Sequence, residues 1–155
     1  MEINNFIALS VIVVAALGIG VGTMTWAYFG KGSISVLFKE PILNLPEFPA
    51  TDSGSKAAVY FQQGIEAYQS GNYRKAKDKF TSTLEQVATA EAYHNRGLVF
   101  ANLRSDGEAV ADLIRASELY QQQGNESAID TIKQNLAALK QRKLERENKK
   151  AIPAS

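Results

Sequence analysis

Side chains that could perform chemistry are few in this sequence, and they form no catalytic pattern. There is no cysteine and only one histidine, His94, which excludes thiolate chemistry and a histidine metal cluster. No nucleophile lies beside a base, and carboxylates such as Asp112 occupy ordinary exposed helix positions. Gly18, Gly20 and Gly22 resemble a nucleotide loop, but no strand precedes them. We therefore predict a protein that is not an enzyme, with no catalytic residue, metal or cofactor.

The charge balance argues against nucleic acid as a partner. Seventeen basic and sixteen acidic residues give a formal net charge of +1, which provides no overall field to attract a polyanion. Residues 140–150 are the exception, with six basic and two acidic side chains. This stretch is interpreted most simply as a solvated helix end, and the alternative is a contact with anionic lipid or an acidic partner.

The first 30 residues have the length and hydropathy of a membrane-spanning helix. No charged side chain occurs between residues 3 and 30, and a helix from Phe6 to Phe29 would be about 36 Å long. The hydrocarbon core of a bilayer is roughly 30 Å thick. Glu2 stands where a cleaved signal peptide would be basic. We therefore predict a transmembrane anchor over residues 1–30 and a single-pass membrane protein.

The flanks and small residues of this predicted anchor suggest an orientation and a packing face. Lys31 and Lys39 follow the anchor and no basic residue precedes it, so the positive-inside rule places the C-terminal domain on the cytoplasmic or stromal side. Gly18 and Gly22 have the spacing that lets a second helix approach closely, although glycine is common in membrane helices in any case. The predicted packing positions are Ala15, Gly18, Gly22 and Thr25.

Residues 31–55 are predicted to be an apolar linker. Three prolines, Pro41, Pro46 and Pro49, prevent a continuous helix. The linker is too apolar for a flexible tether, so we expect it along the bilayer surface or against another subunit, with only residues 51–55 flexible. Its large apolar side chains are Leu37, Phe38, Ile42, Leu43, Leu45 and Phe48.

The following stretch contains an internal repeat with an offset of 33 residues. Gly64 recurs as Gly97 and Ala76 as Ala109, and each copy has apolar periodicity over two helices, 59–69 with 73–87 and 92–103 with 106–120. We therefore predict an all-α domain over residues 56–123, made of two helical hairpins at 57–89 and 90–122. Residues 124–150 should form a capping helix with the apolar stripe Ile129, Ile132, Leu136 and Leu139, followed by a disordered tail at 151–155.

The repeat resembles the tetratricopeptide repeat (TPR) family. The second copy retains Tyr93, Gly97, Phe100, Ala109 and Ala116, but has Arg104 where the family has a turn glycine. Two repeats and a cap are fewer than usually stabilise such an array, so we expect the anchor, the apolar linker or a partner to contribute to its stability. The first copy reads Ala57-x-x-Tyr60-x-x-x-Gly64-x-x-x-Tyr68-x-x-Gly71-x-Tyr73-x-x-Ala76-x-x-x-Phe80.

The resemblance implies a peptide-binding groove lined by the first helix of each hairpin. Phe61 and Ile65 replace the lysine and asparagine that would clamp a terminal carboxylate, so we expect an amphipathic helix or an aliphatic-rich strand as the ligand. His94 falls in this groove, although a lone helical histidine is more often a packing residue. The expected groove residues are Phe61, Ile65, Tyr68, Gln69, His94, Asn95, Leu98 and Asn102.

The resemblance also implies a cellular role. An anchor followed by a short array is similar to TPR proteins of cyanobacteria and plastids, some of which assist photosystem assembly in the thylakoid membrane. We therefore expect a scaffold that binds protein subunits of a membrane complex, with the lipid bilayer as a second partner. The alternatives are a permanent structural subunit and a docking receptor for soluble cargo.

Overall fold

Five α-helices follow one another along residues 36–151, the part of the chain that the computed structural model describes. Each helix packs mainly on the next one in sequence. No strand occurs among these described residues, which agrees with the all-α part of the predicted fold class. The helices are α1 (Asp52–Gln69), α2 (Tyr73–Gln86), α3 (Ala90–Asn102), α4 (Asp106–Gln122) and α5 (Glu126–Ala151).

The structure corrects the predicted membrane-spanning element. Within residues 36–151, no helix is both long enough and apolar enough to cross a membrane. The two longest helices, α1 and α5, are amphipathic and carry charged residues along their length. This finding contradicts the fold class with a transmembrane helix and the localisation as a single-pass membrane protein. Residues 1–30, which motivated both predictions, lie outside the described residues, as do the packing positions Ala15, Gly18, Gly22 and Thr25.

Short side chains fix where the helices begin. The Thr51 hydroxyl accepts a hydrogen bond from the Gly54 N–H at 3.1 Å and caps α1, so residues 51–55 are ordered and the prediction that they are flexible is wrong. Asn125 caps α5 in the same way, through the Ala128 N–H at 3.1 Å. These caps satisfy amide groups that the first helical turn leaves without partners.

The two hairpins repeat the same turn and the same close contact. Gly71 and Arg104, 33 positions apart, both adopt a left-handed conformation, with φ of 75° and 66°. A Cβ atom added to Gly64 would lie 2.6 Å from the Phe80 ring, and one added to Gly97 would lie 3.0 Å from Leu113. The offset of 33 in the sequence therefore corresponds to a repeated backbone geometry, in which a glycine lets the two helices of each hairpin approach.

Gly64→Ala is expected to destabilise the fold by about 1–3 kcal/mol, because the new methyl group would collide with the fully buried Phe80 ring. Gly107→Ala is the matched control, since nothing lies within 4 Å of its added Cβ, and it should be neutral or stabilising by up to about 1 kcal/mol. Urea denaturation of both full-length variants measures the difference. An unchanged midpoint for Gly64→Ala would show that the hairpin has room at this position.

Arg96 joins three helices through a largely buried ion pair. Its Nε and Nη2 donate to the Asp112 carboxylate at 2.7 and 2.9 Å, and its Nη1 donates to the Thr81 hydroxyl at 3.2 Å. The guanidinium also lies over the rings of Tyr93 and Phe100. Asp112 is therefore buried, and the expectation of an ordinary exposed position is wrong because its partner lies on a different helix.

The basic end of α5 contacts both α3 and α4. Arg142 is buried, its Nη1 donates to the Ala101 carbonyl at 2.9 Å, and it shares the Asp106 carboxylate with Arg146. Ile132 and Leu139 of the predicted apolar stripe are 1% and 3% exposed, so this helix closes the end of the helical stack. Among the described residues of this basic stretch, the lysines Lys140, Lys143 and Lys149 are exposed.

Candidate binding groove

The groove is the surface lined by α1 and α3, and the chain fills it with residues 36–48, called here the groove segment. This segment lies 30 to 64 positions before its hydrogen-bond partners in the sequence. It forms no helix or strand, and the side chains of Pro41 and Pro46 are buried. The predicted location of the linker, on a bilayer or another subunit, is therefore wrong for these residues: they pack against the chain's own helices. The half-buried side chains that reach the core are Leu37, Phe38, Ile42 and Phe48.

The side-chain amide of Asn102 holds one end of the groove segment by bonding to both the N–H and the carbonyl of Phe38. The Phe38 N–H donates to Asn102 Oδ1 at 3.0 Å, and Asn102 Nδ2 donates to the Phe38 carbonyl at 2.7 Å. Tyr68 adds a third bond, since its hydroxyl donates to the same carbonyl at 2.8 Å and accepts from Asn102 Nδ2 at 3.0 Å. Burial, and after it the charge of Tyr73, raises the pKa of Tyr68, so the hydroxyl keeps the proton it donates.

Asn95 repeats this arrangement two helical turns earlier. The Ile42 N–H donates to Asn95 Oδ1 at 2.7 Å, and Asn95 Nδ2 donates to the Ile42 carbonyl at 2.9 Å. A side-chain amide presents one donor face and one acceptor face, as a neighbouring strand would. Seven helical residues rise about 10.5 Å, which is within the roughly 13 Å that four residues of extended chain can span, so Phe38 and Ile42 can reach the two asparagines.

Aromatic and aliphatic side chains form the floor of the groove. Phe48 of the groove segment packs edge-on against Phe61, with ring centroids 6.1 Å apart, and Phe61 packs in the same way against Phe80 at 5.6 Å. Phe61 is 1% exposed and lies between the segment and the core of the first hairpin. The groove therefore binds main chain with its asparagines and apolar side chains with its floor.

The structure brings most of the predicted groove residues together but does not leave them open to solvent. Tyr68, Asn95 and Asn102 bond to the groove segment, and His94 instead faces α5. The groove was expected to be open to an external ligand, and the apolar linker was predicted to stabilise the array but not to occupy the groove. Gln69 is exposed, and the buried predicted residues are Phe61, Ile65, Tyr68, His94, Asn95, Leu98 and Asn102.

His94 is a packing residue between α3, α4 and α5. Its Nε2 lies 2.9 Å from Asn135 Nδ2, and its ring packs edge-on against Tyr120 at 6.0 Å. Its Nδ1 is buried and has no hydrogen-bond partner within the described residues. Burial lowers the pKa of His94 to about 4, so the ring is neutral at physiological pH.

His94 should make folding less favourable as the pH falls from about 6.5 towards 4. In that interval the unfolded chain, with a histidine pKa near 6.5, binds a proton that the folded chain does not bind. The free energy of unfolding should therefore fall between pH 7 and pH 5 by about 2 kcal/mol more in the wild type than in His94→Gln. Urea denaturation of both proteins at the two pH values measures these losses of unfolding free energy. Subtracting one loss from the other cancels the contribution of the titratable groups that both proteins share. Equal decreases in unfolding free energy for the wild type and for His94→Gln would show that His94 is exposed to solvent.

No group of three or more His, Cys, Asp or Glu side chains that could hold a metal ion occurs in the described part of the chain. Comparisons with protein-family models, with curated proteins and with solved structures find no match for this chain.

Proposed function

We propose that this chain is a protein-interaction scaffold of the TPR type, and that its groove holds a polypeptide segment in an extended conformation. Support for the TPR resemblance comes from the repeated geometry of the hairpins. The contact between Gly64 and Phe80 recurs 33 residues later between Gly97 and Leu113. The left-handed turn recurs at the same offset. Helical hairpins stacked in this way present a continuous face that can bind an extended chain.

The observation that carries the proposal is the pair of asparagines, Asn95 and Asn102. Each bonds the N–H and the carbonyl of one residue, so the pair recognises main chain and is indifferent to the side chains that the bound segment carries. Buried asparagines are costly unless their amides are satisfied. A groove that presents two such amides beside its apolar floor is suited to binding polypeptide main chain.

The test is to purify the tagged full-length chain, identify the proteins recovered with it, and measure binding of each purified candidate to the wild type and to Asn102→Leu. A groove ligand should bind at least tenfold more weakly to the variant, whereas Asn148→Leu, an exposed position on α5, should bind normally. Binding that is insensitive to Asn102→Leu would contradict the groove as the partner site.

The identity of the recovered proteins would also distinguish between the three roles that the sequence left open. An assembly factor should be recovered with incomplete complexes, a permanent subunit with finished ones, and a docking receptor with its cargo. Catalytic activity of the purified chain would overturn the proposal that the protein acts by binding alone.

A further inference from the structure

We infer that the groove segment is an exchangeable internal ligand, and that the external partner of the groove is an extended, proline-containing apolar segment of another protein, which takes the place of residues 36–48. This inference rests on the proposed function and specifies its ligand. The chemistry of the partner is inferred from the occupant that the structure shows.

The groove segment packs on the outside of the core that holds the helices together. Its large apolar side chains are half-buried or exposed, and within the segment only Pro41 and Pro46 are buried, whereas Phe80 and Leu113, which pack inside the two hairpins, are fully buried. Leu43 and Leu45 of the segment are 62% and 63% exposed. Segments with few buried contacts open locally at a lower free energy than the fold as a whole. The groove can therefore empty while both hairpins stay packed.

An empty groove would expose a surface that favours another ligand of the same kind. The Phe61 ring would lose its contact with Phe48, and the amides of Asn95 and Asn102 would lose their main-chain partners. Burial of the apolar floor drives binding, and the amides require an extended main chain beside it. An α-helix cannot satisfy these amides, because its own backbone groups are already paired.

The register of the occupant gives the pattern that the partner should carry. An aromatic residue stands at the position of Phe38 and an aliphatic residue four positions later at Ile42, where the asparagines bind the main chain. Buried prolines precede and follow this second position, at Pro41 and Pro46, and a further aromatic residue, Phe48, contacts the floor. Proline favours extended backbone without donating a hydrogen bond, which suits it to positions that the asparagines do not bind.

Gly54 attaches the end of the groove segment to α1. A Cβ atom at Gly54 would lie 1.9 Å from the Pro49 carbonyl oxygen, so only glycine lets the chain lie against the first turn of this helix. Gly54→Ala should push residues 48 and 49 away from α1 without altering any side chain of the groove. This position therefore offers a way to open the groove in the full-length protein.

The experiment measures binding of a fluorescent synthetic peptide with the sequence of residues 36–48 to the full-length wild type and to Gly54→Ala. The internal segment competes with the peptide in the wild type, so the opened variant should bind at least tenfold more tightly. Ile42→Pro, which removes the N–H bonded to Asn95, is a second opening variant outside the helices. Gly107→Ala is the matched control and should bind as the wild type does.

Three results would overturn the inference. The first is that both opened variants, folded by circular dichroism, bind the peptide no better than the wild type. The second is that a peptide with alanine at the positions of Phe38 and Ile42 binds equally well, which would show that the groove does not recognise these apolar side chains. The third is that the opened variants form dimers with exchanged segments, which would make a second copy of the chain the occupant.

A failure of this experiment can be distinguished from a failure of the proposed function. If the peptide does not bind, the groove segment is a fixed part of the fold. The effect of Asn102→Leu on a purified partner still tests the scaffold proposal, because that measurement does not use the peptide. Conversely, peptide binding that Asn95→Leu with Asn102→Leu abolishes in the Gly54→Ala background supports the inference directly.

Discussion

Replacing Asn95 and Asn102 together by leucine is expected to release the groove segment while the helices stay folded. The two asparagines make four hydrogen bonds to the main chain of Phe38 and Ile42. At a net contribution of roughly 0.5–1.5 kcal/mol each, their loss weakens attachment of the segment by about 2–6 kcal/mol. Leucine has a similar size and offers no replacement donor or acceptor, so the released main chain bonds to water.

Hydrogen exchange of the full-length protein measures this release. The backbone amides of Phe38 and Ile42 should exchange at least about thirtyfold faster in the double variant, since the loss is about 2 kcal/mol or more and each 1.4 kcal/mol corresponds to a factor of ten. Amides within α2 and α4 should keep their protection. Gln69→Leu, at the exposed residue of the predicted groove, is the control and should leave both rates unchanged. Unaltered exchange in the double variant would mean that the segment is held by something other than the asparagines.

Phe61→Ala is expected to cost about 3–5 kcal/mol of unfolding free energy, because it removes a fully buried aromatic ring and leaves a cavity. The ring contacts Phe48 on one side and Phe80 on the other, so its loss loosens both the groove segment and the first hairpin. The effect should therefore be global, in contrast to the local release caused by the asparagine variants.

Urea denaturation of full-length Phe61→Ala measures this cost, and Val59→Ala is its matched control. Val59 lies on the same helix but is 55% exposed, so its truncation should change the unfolding free energy by no more than about 0.5 kcal/mol. A cost below about 1 kcal/mol for Phe61→Ala would show that the ring is not part of the core. It would also contradict the assignment of Phe61 to the floor of the groove.

Much of the helical architecture could be predicted because its contacts repeat along the sequence. Gly64 and Gly97 stand at equivalent positions, and the residues they pack against, Phe80 and Leu113, share the same offset. The predicted helix at 59–69 begins seven residues later than the observed Asp52–Gln69, because residues 52–58 lack apolar periodicity. The Thr51 cap, and not a hydrophobic pattern, decides where α1 begins.

The occupant of the groove could not be predicted in the same way. Phe38 and Asn102 are 64 positions apart, and their contact joins irregular main chain to a side-chain amide, which leaves no periodic trace in the sequence. The contact of His94 with Asn135 was also not predicted, because it depends on how α5 packs against α3 and not on the periodicity of either helix. The resemblance to the TPR family implied that Tyr68, Asn95 and Asn102 line a groove, whereas the structure identified the segment that they bind.

The placement of residues 36–48 in the groove, where Asn95 and Asn102 hold them, is the central feature of the structure. Nuclear Overhauser contacts in the full-length wild-type protein test it most directly. The structure predicts cross-peaks between the side-chain amide protons of Asn102 and the Phe38 main chain, and between those of Asn95 and the Ile42 main chain. The absence of both sets of cross-peaks, in a sample whose helices are folded, would contradict this account of the groove.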